Sequence, residues 1–449
     1  MSLNLIGQVV RYRWAVILLS VGLAFYGIFQ LARLPMDAVP DITNRQVQIN
    51  TFAPALAPGQ MERQVTYPLE TAFAGLPGLV STRSLSRNGF SQVTVVFTDD
   101  TDIYFARQQI AERLREAQSS LPEGVVPAMS PVTTGLGEVL TWTVDFAPRD
   151  PKASSAAGAP GWQADGTFLT PEGKVLSSPQ ERATYLRTLQ DWLIAPQMRS
   201  TKGLADVDSI GGYEKEYSVH PDPARLTAYG ISFTELADAL RRSNVQAGAG
   251  FIERSGEGLV VRTDALARGV QDLAQAPVVN RNGLIIRVSD VAQVSEGQSP
   301  RLGVATRDGH EIVLGSALMI AGGNSRTVAQ DASARLTEVS KSLPPGIEVK
   351  VVLDRSKLVN ATIGTVAENL AVGALLVIVV LFLLLGNIRA ATITALVIPL
   401  SFLFAVIGMQ RFGISGNLMS LGALDFGILV DGAVIVVEAT LLLLTQRQH

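Results

Sequence analysis

Asp425-Phe-Gly-Ile-Leu-Val-Asp431-Gly-Ala-Val-Ile-Val-Val-Glu438 places three carboxylates inside an otherwise uncharged run from Phe412 to Thr445. A charge at the centre of a bilayer costs at least ~2.5–3.5 kcal/mol on insertion scales. Three of them in one segment leave two readings: the segment is not in a membrane, or the carboxylates handle protons or ions. At 100° per residue, Asp431 and Glu438 lie seven apart and only about 20° out of line, so they share a helix face. Asp425 projects about 120° away from Asp431 and meets a different neighbour. Ala423 and Gly427, four residues apart, leave room for another helix to pack closely.

The rest of the chain bears on the choice. Its 449 residues allow two or three domains, and the net charge of −3 with no basic cluster gives no sign of nucleic-acid binding. The absence of cysteine excludes disulfides and thiolate metal sites; His220, His310 and His449 are the only imidazoles, widely separated in sequence. Mean hydropathy is positive, which is unusual for a soluble protein. Trp14 to Ala32 is a run of 19 residues without a charge, following Arg11 and Arg13. It approaches the ~20 residues needed to span a bilayer. It is too long for a signal-peptide core and lacks a good cleavage site, so it reads as an anchor with its N-terminus in the cytoplasm. Asn369–Ile388 (20 residues) and Ala390–Gln410 (21 residues) are likewise uncharged, and Pro399 is expected to bend the second. With Leu418–Thr445 this makes four expected spans, with Arg11, Arg13, Arg389 and Arg447 all on the cytoplasmic side.

Between Pro35 and Ala361 the composition is that of a soluble α/β protein. Gln46–Phe52 alternates as a strand, Pro58–Phe73 has helical spacing, and Leu79–Leu85 and Gln92–Thr98 flank a turn at Asn88-Gly89. Asp102–Ser120 is an amphipathic helix and a strand follows Gly124. The order βαββαβ predicts a ferredoxin-like unit. Arg113-Leu-Arg-Glu-Ala-Gln-Ser-Ser-Leu-Pro-Glu-Gly124 is matched 222 residues later by Arg335-Leu-Thr-Glu-Val-Ser-Lys-Ser-Leu-Pro-Pro-Gly346. Two tandem units are the simplest account. In the second, Glu138–Phe146 reads as a strand, Ala147–Ser178 as a loop and Arg182–Met198 as a helix. A small α/β insertion is expected to end before Val278–Arg287 and Ile312–Ile320 resume the host.

A structural ion pair would explain the carboxylates without transport, but no Lys or Arg lies inside the other expected spans. A buried carboxylate with a raised pKa can instead take a proton on one side of the membrane and release it on the other.

The motif Asp425-Phe-Gly-x-x-x-Asp431-Gly-Ala, with Glu438 seven further on, resembles the fourth spanning helix of the resistance–nodulation–division (RND) exporters. The match is to their heavy-metal efflux (CzcA-like) branch. Pro40-Asp-Ile-Thr-Asn44, Ala74-Gly-Leu-Pro-Gly78, Ser84-Leu-Ser-Arg87, Thr101-Asp-Ile-Tyr-Phe-Ala-Arg107 and Thr134-Gly-Leu-Gly-Glu138 also look like that family. The resemblance covers essentially the whole chain, as an N-terminal half. It implies a multi-pass α-helical membrane protein with a large α+β periplasmic domain. The expected division is 1–34 (cytoplasmic segment and first span), 35–136 (first porter subdomain), 137–180 with 271–360 (second porter subdomain), 181–270 (docking insertion) and 361–449 (spans two to four).

By the same resemblance, the chain belongs to a homotrimeric inner-membrane pump. Such a pump acts with a periplasmic adaptor and an outer-membrane channel, and drives metal cations out against inward proton flow. Asp425, Asp431 and Glu438 would carry the protons, paired with a lysine from a second half. The form of the motif resembles the pumps for divalent Zn, Co, Cd and Ni. Cu/Ag or organic cargo, or a non-transporting assembly subunit, are the alternatives. No cofactor is called for, since metal and protons are cargo, and no metal ligands are assigned beyond direct contact of the carboxylates with the ion. One departure from the pattern is Ala439-Thr440 after Glu438, where the branch usually has Asn.

Overall fold

The computed structural model describes residues 11–37, 40–148, 158–254, 257–264, 266–281, 283–301, 303–385, 388–417, 432 and 434–440. Helix α1 (Arg13–Arg33) is largely apolar between its terminal arginines and leaves Leu18 and Phe25 exposed. Strands β1 (Gln46–Phe52), β2 (Leu79–Arg87), β3 (Phe90–Phe97) and β4 (Pro127–Met129) then form an antiparallel sheet in the order β2-β3-β1-β4. Alternation puts Val47 and Ile49 of β1 on the buried face. Two helices cover that face. The first, α2, runs from Pro58 to Phe73 through a π-turn at Glu62–Thr66, and buries Met61, Val65, Leu69 and Phe73. The second, α3 (Ile103–Ala117), buries Ala106, Ile110 and Leu114 at helical spacing, and Asp102 caps it by accepting from the N–H of Phe105. Each large apolar side chain so buried contributes about 1.5–3 kcal/mol.

The second sheet repeats the permutation. Strands β5 (Glu138–Phe146), β9 (Leu204–Ile210), β17 (His310–Met319) and β18 (Ile347–Asp354) pair antiparallel in the order β9-β17-β5-β18. Its covering helices are α4 (Pro179–Leu189, continued through a π-turn to Arg199) and α9 (Ser325–Ser340). The repeated sequence closes each unit in the same way. After α3 and after α9 the chain turns at a glycine with positive φ, Gly124 (82°) and Gly346 (84°), and enters the last strand. A left-handed residue there favours glycine because it has no Cβ to clash.

Three expectations are corrected. Ala147–Ser178 is more than a loop: within its described part, strands β6 (Gly161–Trp162), β7 (Phe168–Leu169) and β8 (Val175–Leu176) form a small sheet. Its Trp162 and Phe168 pack on Phe146 with ring centroids 5.5 and 4.7 Å away. The insertion does not begin at 181, because α4 packs on the second core and β9 pairs with β17. Nor does Val278–Arg287 rejoin the host. It forms a separate hairpin, β13 (Pro277–Arg281) with β14 (Leu284–Arg287), whose Val278 and Ile286 belong to a third core with Leu226 and Leu236. That third core is flanked by the pair β10 (Lys215–Pro221) and β15 (Ala292–Gln298).

At the end of the soluble block, α10 (Arg355–Leu385) leads to α11 (Ile388–Ala395) and α12 (Val397–Arg411). Among the described residues three helices are long and apolar enough to cross a membrane. The helix is interrupted at Leu396, three residues before Pro399. Proline removes one helical N–H and its ring crowds the carbonyl four residues earlier, here that of Ala395. Helices α1 and α12 pack closely, since a Cβ at Gly27 would lie 2.7 Å from Leu403 Cβ.

Candidate functional site

Of the three expected site carboxylates, Asp425 and Asp431 lie outside the described residues. Glu438 is helical and exposed, followed by exposed Ala439 and Thr440. Thr440 donates back to the carbonyl of Val436, as hydroxyls within helices do. Most of the fourth expected span, Leu418–Thr445, is likewise outside the described set. Of the three, only Glu438 is among the described residues.

A second group of carboxylates lies on the outer face of the second sheet. Asp206 and Asp208 are two apart on β9, so both project to one face. Across the sheet Leu318 pairs with Asp206 on one side and Glu138 on the other, while Asp208 pairs with Ser316. Glu138 and Asp208 are exposed and Asp206 is half-buried. Arg199 donates to Asp206 at 2.6 Å and to the carbonyl of Val207 at 3.3 Å, neutralising one charge of the three. Although Asp208 as a residue is exposed, partial burial of its carboxyl group, followed by the charges of Asp206 and Glu138, pushes that carboxyl above its ordinary range, with Arg199 opposing. No group of three metal-ligating side chains occurs among the described residues. The acidic face can thus attract cations without enclosing one.

In sequence Glu138 falls in a family-like motif without a role, and Asp206–Ile210 reads as a strand whose two carboxylates carry none either. The alternation of Asp206 and Asp208 in that strand was a usable signal. That Glu138 joins it depends on sheet order.

A sequence profile of the AcrB/AcrD/AcrF family matches residues 5–449. The chain belongs to that family. AcrB/AcrD/AcrF proteins are RND transporters, not enzymes. This member is 55% identical over 441 residues to the nickel and cobalt resistance protein CnrA of Cupriavidus metallidurans, covering 98% of this chain and 41% of CnrA. It is 54% identical to the nickel-cobalt-cadmium resistance protein NccA of Alcaligenes xylosoxydans xylosoxydans, covering 99% and 42%. A crystal structure of a heavy metal efflux pump superposes with a TM-score of 0.80 at 34% identity, over 97% of this chain and 40% of that one. The chain therefore spans about two fifths of the length of these relatives.

In this family member the raised Asp208 carboxyl has a testable sign. Folded, it holds a proton over a pH window in which the unfolded chain has released it, so stability falls as pH rises through that window. Asp208→Asn removes the penalty. The variant is expected to raise the thermal midpoint at pH 7, and the gain should vanish once pH drops below the ordinary carboxylate range. Scanning calorimetry at both pH values checks this; equal gains at the two would show that the charge is not the cause.

Proposed function

We propose that this chain carries half of a proton-driven exporter of divalent heavy-metal cations, with nickel and cobalt foremost. The observation that carries the reading is a Glu/Asp-bearing apolar segment in a chain 55% identical to a nickel and cobalt resistance protein. Asp425, Asp431 and Glu438 act as the proton relay; each proton entering down the membrane potential supplies about 2.3 kcal/mol per 100 mV. The soluble block is the first periplasmic loop. Its four-stranded first sheet and five-stranded second sheet serve as porter subdomains and the third core as the docking subdomain. The pump is an inner-membrane homotrimer that works with a periplasmic adaptor and an outer-membrane channel. The open acidic face of Glu138, Asp206 and Asp208 supports cationic cargo, because a single-sign surface raises the local concentration of the opposite charge.

The test is proton flux in vesicles reconstituted with the full-length protein. Nickel, cobalt, cadmium and zinc are each expected to release protons from an acidified lumen, with silver and an organic dye inert. A response to silver alone or to the dye alone would reassign the cargo. The absence of any metal-dependent flux would overturn the reading.

A further inference from the structure

The segment leaving α1 passes through a junction that ties three parts of the molecule together. The loop after α12, residues 412–417, directly precedes the carboxylate segment in sequence. Its Gly416 forms a short parallel bridge with Met36: the N–H of Gly416 donates to the carbonyl of Pro35, and the N–H of Asp37 donates to the carbonyl of Gly416, both at 2.9 Å. Contact there is tight, since a Cβ on Gly416 would lie 3.0 Å from both Leu34 Cδ2 and Met36 Sδ. Leu34 is buried, packed with Val406 and Met409 of α12.

On its other side the same segment holds the soluble block. The Asp37 carboxylate accepts from Arg355 Nε and faces Nη2, both at 3.1 Å, and the two side chains are only 16% and 11% exposed. Arg355 is the first residue of α10, and its Nη1 donates to the carbonyls of Leu136 (3.0 Å) and Glu138 (3.4 Å) at the start of β5. Ser325, at the head of α9, donates to the carbonyl of Met36 at 3.2 Å. One guanidinium thus joins the exit of the first span, the head of the second and the edge of the second sheet that bears Glu138. A fixed planar fork reaches a carboxylate and two carbonyls at once, which a lysine ammonium cannot do in the same geometry.

We propose that the Asp37–Arg355 pair is the positioning link through which a change of charge in the 425–438 segment reaches the second sheet. The link rests on the transport reading for its purpose but not for its test. When the loop at 412–417 moves, its bridge to residues 35–37 moves Asp37. Arg355 then carries the displacement to the carbonyls of Leu136 and Glu138. Neither residue touches cargo, so both are positioning residues.

Hydrogen exchange of the full-length protein in vesicles tests this without metal. Asp431→Asn mimics the protonated carboxylate. With the pair intact it is expected to change amide exchange across residues 131–146 by about fivefold or more, the lower range of measured site-to-site couplings. In an Asp37→Asn or Arg355→Gln background that change should disappear. Asp37→Glu, which keeps a carboxylate for Arg355 and leaves the bonds from Arg355 to the carbonyls of Leu136 and Glu138 in place, should retain part of it, which loss of packing alone would not predict. A response that persists in both the Asp37→Asn and Arg355→Gln variants, or no response with the pair intact, would overturn the link. Failure of the transport reading shows up separately, as absent metal-dependent proton flux in the unmodified protein.

Discussion

Asp431→Asn in the full-length protein is expected to reduce metal-driven proton flux to that of protein-free vesicles and to abolish metal resistance, with expression and oligomeric state unchanged. The reasoning starts from cost. A carboxylate deep in a span costs at least ~2.5–3.5 kcal/mol to insert, and asparagine removes its charge. The variant should therefore insert at least as readily, so lost transport could not be ascribed to poor insertion. Asparagine keeps size and hydrogen bonding but cannot bind and release a proton, which in the proposed relay is the step that couples flux to the membrane potential. Flux in vesicles, measured beside the amount and oligomeric state of the inserted protein, separates the two effects. Retained resistance would remove Asp431 from the relay.

Trp142→Ala is expected to be the most damaging substitution in the soluble block, at about 3–5 kcal/mol. Trp142 is fully buried in the second core. Its indole Nε1 donates to Gln190 Oε1 at 3.0 Å, and Gln190 is itself fully buried in the π-turn that follows α4. On the neighbouring strand Gly315 pairs with Trp142, and a Cβ at Gly315 would fall 2.4 Å from the ring, so β17 is shaped around the indole. Alanine removes the ring and leaves the Gln190 carbonyl without its donor. Trp142→Phe keeps most of the volume and isolates the second effect, about 1–3 kcal/mol for a buried unpaired acceptor. Unfolding midpoints of the detergent-solubilised variants, ranked alanine below phenylalanine below the parent, check both terms. A midpoint for Trp142→Ala equal to the parent's would mean that this sheet is not cooperative with the transition measured.

Much of the fold was legible because its signals are local. The alternation of Gln46–Phe52, the turn at Asn88-Gly89 and the helical spacing of Ala106, Ile110 and Leu114 each depend on a few neighbouring residues. The uncharged runs that became α1, α10 and α12 are legible for the same reason. The small sheet of β6, β7 and β8 was not, because two-residue strands have no period to detect. The insertion was misdrawn at both ends because strand partners are chosen at long range. β9 finds β17 about a hundred residues on, while β13 pairs with its immediate neighbour.

The sequence by itself determined that this chain alternates apolar helices with a duplicated α/β block, that it resembles RND exporters, and that three carboxylates lie in one apolar segment. Those properties are written in hydropathy, periodicity and motif spacing, all read within a short window. Only the tertiary structure decided that Glu138 shares a face with Asp206 and Asp208, and that Arg355 is a buried junction holding Asp37, 318 residues away in sequence. An arginine at the head of a span reads in sequence as an ordinary flanking charge. Its partners are set by which distant segments the packed core brings within hydrogen-bonding reach, and no local pattern encodes that distance.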